Sequence, residues 1–202
     1  MTRWSESADR PTGAEYAARF TALARSGVDV HGEATLCASL APVGARVLDA
    51  GCGTGRVAIR LAELGCALVG VDSDGSMLAE ARRASGAIRW VDGDLTALDE
   101  LDLGADPFDL IVMAGNVVPL LADGTEAHAI TQLAHRLAPG GLLVAGFGLD
   151  AAHLPHGATA ISLDDYDIWC AAAGLVAAAR WATWDQQTFT DDAGYAVSVH
   201  RR

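Results

Sequence analysis

The stretch VLDAGCGTGR, residues 47–56, decides the fold of this chain. It opens with apolar residues typical of a buried strand and leads into a helical stretch. Three glycines, Gly51, Gly53 and Gly55, stand where the backbone must turn sharply and approach a ligand closely. The stretch therefore predicts a strand, a tight turn and a helix beside a binding crevice. A purely structural turn would also favour glycine, so this turn alone does not identify a ligand.

The next apolar run ends in an acidic residue. It reads LVGVD, residues 68–72, and Asp72 lies 21 positions after Gly51. A carboxylate at this spacing is suitably placed to accept hydrogen bonds from two hydroxyls of a ribose. The turn and the acid together predict a nucleoside pocket. The alternative role for Asp72 is to cap the helix that follows.

Short apolar runs alternate with helical stretches from about residue 46 onward, which is typical of βαβ units. We therefore predict a doubly wound α/β fold with a mostly parallel, seven-stranded sheet. The predicted strands are residues 46–50, 67–72, 88–91, 108–113, 141–147, 176–184 and 195–200. Residues 191–194 predict a turn, so the last two strands should form an antiparallel hairpin at one sheet edge.

The helices between these strands have recognisable ends. Helix starts are predicted at Thr54 or Gly55, at Ser73 or Asp74, at Thr125 and at Ser162, and Gly174 should end the last helix. In the N-terminal part, Tyr16, Phe20 and Leu23 recur at helical spacing, and a second helix is predicted over residues 32–40. These two helices either cover the ligand crevice or pack on the outside of the domain.

We expect one domain over residues 1–202. It would comprise an N-terminal helical cap (1–45), a cofactor-binding core (46–147) and a C-terminal helix with the edge hairpin (148–202). Apolar residues make up 51% of the chain and charged residues 20%, as expected for a packed globule.

Charge narrows the classes of partner. The formal net charge is -12, and all 14 basic residues are arginine. This balance disfavours nucleic acid and anionic membrane surfaces, so a small-molecule substrate is expected.

The four cysteines show neither metal-ligand spacing nor a disulfide pattern, and the first residues contain no apolar signal core. With no apolar run long enough to span a membrane, the expected compartment is the cytoplasm. The sequence does not indicate the oligomeric state.

With these residues in view, the chain resembles the class I S-adenosylmethionine-dependent methyltransferases, whose first motif is an acid followed by GxGxG. Here the motif is Asp49, Gly51, Gly53 and Gly55. A dinucleotide fingerprint would need glycine at position 56, which is Arg56, so an NAD-dependent oxidoreductase is the alternative. The resemblance continues through residues 72–78, 92–95, 108–112 and 137–143.

The resemblance implies S-adenosylmethionine as the cofactor and a Rossmann-like methyltransferase fold. Asp49 would help to position its amino group, Gly51 and Gly53 would follow its methionine part, and Asp72 would hold its ribose. The predicted cofactor-binding residues are Asp49, Gly51, Cys52, Gly53, Gly55, Asp72, Ser73, Met77, Asp94, Leu95, Asn116 and Arg19. Within this set, Asp94 and Leu95 would contact the adenine; Asp94 could instead serve an ordinary turn. Arg19 would pair with the cofactor carboxylate or an acidic substrate, or lie in solvent.

No catalytic residue is assigned from the sequence, because the activated methyl group mainly needs an aligned acceptor and exclusion of water. Weak candidates are Tyr16, His153 and His156, and His31 is a further candidate for contact with the acceptor. We expect no metal site, since His153 and His156 lack a third ligand at a suitable spacing. Residues 113–118 lack the Asn-Pro-Pro-aromatic motif of methyltransferases that act on adenine or glutamine. A non-catalytic nucleoside-binding module is also compatible with the fold.

Overall fold

The computed structural model describes residues 2–7, 10–155 and 158–202. Seven strands form one sheet in the order β3-β2-β1-β4-β5-β7-β6. The strands are β1 (Arg46–Ala50), β2 (Ala67–Asp72), β3 (Arg89–Asp92), β4 (Phe108–Met113), β5 (Leu137–Gly148), β6 (Val176–Trp181) and β7 (Tyr195–Arg201). The first five pair in parallel, and β7 runs antiparallel to both β5 and β6. The predicted doubly wound sheet with an antiparallel edge hairpin is confirmed.

The helices flank this sheet. They are α1 (Arg3–Glu6), α2 (Gly13–Arg25), α3 (Gly32–Leu40), α4 (Arg56–Glu63), α5 (Gly75–Ala84), α6 (Val117–Leu120), α7 (Glu126–Arg136) and α8 (Leu163–Ala172). A side-chain oxygen caps α5 and α8: Asp74 accepts from the N–H of Ser76, and Ser162 accepts from the N–H of Asp165. Helix α4 instead begins after Gly55, whose φ of 79° is left-handed.

The central strands are buried on both faces, as expected when helices cover each side of a parallel sheet. In β4, Leu110 and Val112 pack in one core with α3 and α4, whereas Ile111 and Met113 pack in the other core with α7 and α8. All four side chains are essentially inaccessible to solvent. This continuous apolar run is why β4 could be located from the sequence.

Several element boundaries differ from the prediction. Strand β5 begins at Leu137, before the predicted residue 141, and β3 is shifted by one residue. Strand β6 ends at Trp181, three residues early, because the chain turns there: the N–H of Ala182 bonds to the carbonyl of Gln187, and Gln186 has a φ of 61°. Within the described ranges, no helix is long and apolar enough to cross a membrane.

Candidate functional site

A cavity of about 600 Å³ opens at the carboxyl ends of β1, β2 and β4. Strand β1 lies between β2 and β4, so the chain crosses from one half of the sheet to the other at this point. Such a switch point leaves a crevice between the loops that diverge from neighbouring strands. The cavity volume falls within the range of roughly 300–1,000 Å³ that is common for small-ligand sites.

The glycine turn after β1 forms the floor of the cavity. The N–H groups of Gly51 and Cys52 donate to the carbonyl of Val71, at 2.8 and 3.0 Å, which fastens the turn to the end of β2. Gly51 has a φ of 78°, and a Cβ there would lie 2.7 Å from a methyl carbon of Val117. Gly53 also has a positive φ, 53°, but no atom lies within 4 Å of the place of its Cβ. Backbone therefore borders the cavity directly at Gly53.

The Asp72 carboxylate joins two loops at the cavity wall. Its Oδ2 accepts from the N–H of Gly53 at 2.7 Å, and its Oδ1 accepts from the N–H of Asp74 at 2.8 Å. Burial raises the pKa of Asp72, and backbone N–H groups, foremost those of Asp74 and Gly53, oppose this rise. Each carboxylate oxygen has a second lone pair, so Asp72 can accept two further hydrogen bonds from a ligand in the cavity.

Asp49 is a second carboxylate in the wall, only 1% exposed. Its Oδ2 accepts from the N–H of Ala58 at 3.1 Å. Burial raises the pKa of Asp49 to about 7. The nearby Arg56 guanidinium instead forms a bidentate pair with Glu33, at 2.8 and 2.5 Å. Asp49 is therefore a buried acid that a cationic ligand group would help to ionise.

Helix α1 lies across the cavity and is attached on both sides. Trp4 lines the cavity, and its indole N–H donates to Oδ2 of Asp74 at 2.9 Å. Arg3 donates to the carbonyl of Pro119 at 3.1 Å and pairs with Glu126 at 2.8 Å. The segment thus connects the start of α5 with α6 and α7.

The N-terminal helix α2 forms another wall, with Tyr16, Arg19 and Phe20 on the cavity. The Arg56 guanidinium lies over the Phe20 ring, 4.4 Å from its centroid. Burial raises the pKa of Tyr16, so this phenol stays neutral near pH 7. Of the two placements considered for the N-terminal helices, α2 takes the one that covers the crevice.

Comparison with known proteins identifies the family. The model of a family described as "Methyltransferase domain" matches residues 47–141. A TehB-like SAM-dependent methyltransferase from Corynebacterium glutamicum is 32% identical, with 93% of this chain and 96% of that chain covered and a TM-score of 0.82. The chain belongs to the class I S-adenosylmethionine-dependent methyltransferases.

Curated methyltransferases match part of the chain. The malonyl-[acyl-carrier protein] O-methyltransferase of Enterobacter lignolyticus is 37% identical over 99 residues, covering 49% of this chain and 37% of that protein. The glycine N-methyltransferase of Mus musculus is 34% identical over 113 residues, covering 49% of this chain and 39% of that protein. The chain thus spans about two fifths of the length of these curated relatives.

Most of the predicted site residues border the cavity. Those that do are Tyr16, Arg19, Asp49, Gly51, Cys52, Gly53, Asp72, Ser73, Met77, Leu95, Asn116 and His153. Their contacts with a ligand remain predictions. His31 does not line the cavity, and His156 lies outside the described residues.

Two predicted cofactor contacts lie outside the cavity lining. Gly55 packs against Trp90, whose ring would be 2.5 Å from a Cβ at this position. The Asp94 carboxylate accepts from the N–H and hydroxyl of Thr96, at 2.9 and 2.8 Å, and so caps a short 3-10 turn, Leu95–Ala97. Its neighbours Gly93 and Leu95 do border the cavity. Asp94 thus makes the turn contact, and its contact with adenine stays a prediction.

Sequence reasoning missed several residues that line the cavity. Trp4 was missed because a four-residue helix carries no periodic signal. Val117 and Leu120 belong to another four-residue helix, α6, after β4. The only local signal was Gly115-Asn116, two consecutive residues with positive φ that turn the chain into α6.

Proposed function

We propose that this protein transfers the methyl group of S-adenosylmethionine to a small-molecule acceptor. The observation that carries the proposal is the Asp72 carboxylate, which borders the cavity with two lone pairs free beside a glycine turn that carries no side-chain bulk. That arrangement suits the two hydroxyls of a ribose, with the rest of the nucleoside along the turn.

The wall residues fit this methyl donor chemically. Asp72 would accept from the ribose hydroxyls, Asp49 would favour the donor's cationic groups, and Gly51 and Gly53 would let backbone approach its methionine part. When bound, S-adenosylmethionine supplies a methyl group already activated by the sulfonium. The chain's own task is to bind both reactants, orient the acceptor in line and exclude water. Helix α1 and the Tyr16 face of α2 would exclude water by covering the cavity.

A small-molecule acceptor is supported by the cavity volume of about 600 Å³ and by the net charge of -12, which disfavours polyanions. The two curated relatives are named as an O- and an N-methyltransferase, so the acceptor atom differs within the family. We further propose a single domain that works in the cytoplasm. All four cysteines are free thiols, as suits a reducing compartment.

The proposal is tested by calorimetric titration with S-adenosylmethionine, followed by incubation with a labelled donor and a metabolite extract. We expect saturable binding and a labelled product. Folded protein that binds no donor would contradict the proposal, and donor binding without turnover on any acceptor would favour the non-catalytic alternative. An oxidoreductase would bind NAD with no response to the methyl donor; no feature of the site favours that alternative.

Donor binding should depend on pH through Asp49. Its pKa of about 7 lies above the unfolded value of about 4, so ionisation is disfavoured in the free protein. Asp49 alone therefore lowers stability as pH rises from about 4 to 7. A cationic ligand prefers the ionised form, so affinity should rise about tenfold from pH 6 to pH 8, with proton release on binding. Titration in two buffers of different ionisation enthalpy measures both effects. The Asp49→Asn variant should lose this pH dependence; an unchanged slope in it would refute the assignment.

Loss of the Trp4 indole should open one side of the cavity. Because Trp4 both lines the cavity and donates to Asp74, Trp4→Ala should weaken donor binding about threefold to tenfold, mainly through faster dissociation. Stopped-flow fluorescence measures the rate. The exposed Glu6 on the same helix provides the control: Glu6→Ala should leave the rate unchanged. Equal dissociation from both variants would show that α1 does not retain the donor.

A further inference from the structure

One polar pair at the cavity has no role in the proposed function as stated above. Asp150 and His153 lie in the turn after β5, with Nδ1 of His153 2.7 Å from Oδ1 of Asp150. His153 borders the cavity, and about half of each side chain is exposed, 49% for His153 and 53% for Asp150. The pair therefore reaches both the cavity and solvent.

The backbone and ring of His153 are held from several sides. Its N–H donates to Oδ1 of Asp150 at 3.1 Å, and its carbonyl accepts from Nδ2 of Asn116 at 3.2 Å. Asn116 in turn accepts from the N–H of Gly148 at 2.6 Å, which ties the turn to the end of β5. These bonds join the loop after β4 to the loop after β5.

Two glycines leave the space that His153 occupies. A Cβ on Gly194 would lie 2.3 Å from Cε1 of the His153 ring, and a Cβ on Gly148 would lie 2.5 Å from its carbonyl oxygen. Neither glycine needs a positive φ here, so conformational freedom does not explain them. Close packing against His153 explains both glycines. A freely solvated histidine would not require such packing.

The hydrogen-bond partner of Nδ1 determines which nitrogen of the His153 ring carries the proton. The hydrogen bond from His153 lowers the pKa of Asp150, so this carboxylate is ionised near neutral pH and can only accept. The proton between them therefore belongs to Nδ1, which leaves Nε2 of the neutral ring with a free lone pair. A carboxylate that fixes the tautomer in this way is a common companion of a histidine base.

The other ionisable groups that line the cavity are either kept protonated, cationic or assigned to the donor. Tyr16 and Cys52 stay protonated because burial raises the pKa of each, and Arg19 and Arg56 carry guanidinium groups, which cannot accept a proton. In the proposed function, Asp49 and Asp72 bind the donor. Among the described lining residues, His153 is thus the base that remains for the acceptor.

We propose that His153 is the catalytic base of the methyl transfer and that Asp150 is its positioning residue. The inference rests on the proposed function and adds the acceptor class: a hydroxyl or ammonium group that must lose a proton, rather than a carboxylate. The acceptor's X–H bond breaks and its proton goes to Nε2 of His153. An electron pair of X forms the bond to the methyl carbon, and the pair of the broken C–S bond stays on sulfur. Nδ1 keeps its proton, and the resulting imidazolium is stabilised by Asp150.

The first test needs no acceptor. The 202-residue chain with 15N-labelled histidine and bound S-adenosylhomocysteine should show the Nε2 of His153 unprotonated near neutral pH, and the Asp150→Asn variant should lose this signature. Calorimetry should give the two proteins the same affinity for S-adenosylhomocysteine within about twofold. A protonated Nε2 in the wild type would overturn the inference. A wild-type protein that does not bind S-adenosylhomocysteine would instead overturn the proposed function.

The second test uses labelled S-adenosylmethionine with a panel of small hydroxyl, amine and carboxylate compounds. Product from the hydroxyl or amine members is expected, and His153→Ala should lower kcat by about 100-fold or more with donor affinity unchanged. Added imidazole should restore part of the rate in that variant, an effect that a structural role would not produce. The exposed His135 provides the matched control, so His135→Ala should keep wild-type kcat. Methylation of carboxylates alone, or a His153→Ala variant with wild-type kcat, would refute the role of His153.

Discussion

Replacing Asp72 by alanine should weaken binding of S-adenosylmethionine by about 100-fold or more. The variant loses an acceptor for two ligand hydroxyls, and each hydrogen bond to a charged group contributes about 1.5–3 kcal/mol. It also frees the N–H groups of Gly53 and Asp74, so the loops after β1 and β2 lose the carboxylate that joins them. Titration calorimetry with the donor measures the affinity, and thermal melting shows whether the protein remains folded.

Asp92 provides a matched control for this change. It is paired with Asp72 in the register of β2 and β3 but is exposed and does not border the cavity. Asp92→Ala removes the same charge at the end of the neighbouring strand and should leave donor affinity within about twofold of wild type. A folded Asp72→Ala variant that binds the donor as tightly as Asp92→Ala would show that Asp72 does not contact the ligand.

The sheet could be predicted because its signals are local. Strand β4 is a continuous apolar run with both faces buried, and the glycine turn after β1 has left-handed φ angles at Gly51, Gly53 and Gly55. Strand β6 was predicted three residues too long because its apolar pattern continues through Trp184. The turn that ends the strand depends on the backbone of Gln186 and Gln187, which carries no strong sequence signal.

The sequence could predict only those site residues that lie on or next to a recognisable strand. Asp49 lies in β1 and Asp72 ends β2, so the topology of the sheet brings both carboxylates to the cavity. By contrast, the pairing of Arg56 with Glu33 depends on tertiary packing between α3 and α4, and α1 reaches the cavity only because Arg3 and Trp4 find distant partners. Contacts between residues far apart in sequence have no local pattern to reveal them.

Replacing Gly53 by alanine should weaken donor binding about tenfold to 100-fold while the protein stays folded. With a φ of 53°, alanine at this position costs about 1–2 kcal/mol of folding free energy, which a domain of this size tolerates. The new methyl group would meet no protein atom within 4 Å, and Gly53 borders the cavity, so the methyl group would occupy space that the donor needs. Overpacking a tight contact by one carbon typically costs about 1–3 kcal/mol.

A Gly44→Ala variant distinguishes the loss of cavity space from the cost of backbone strain. Gly44 also has a left-handed φ, 72°, with nothing within 4 Å of its Cβ position, but it is exposed and away from the cavity. Gly44→Ala should therefore lower the melting temperature about as much as Gly53→Ala does, yet bind S-adenosylmethionine with wild-type affinity. If calorimetry gave both variants wild-type affinity, the donor would not pass along the turn at Gly53. If both lost affinity equally, backbone strain alone would account for the effect. Only a selective loss at Gly53 indicates that this glycine keeps the cavity open for the donor.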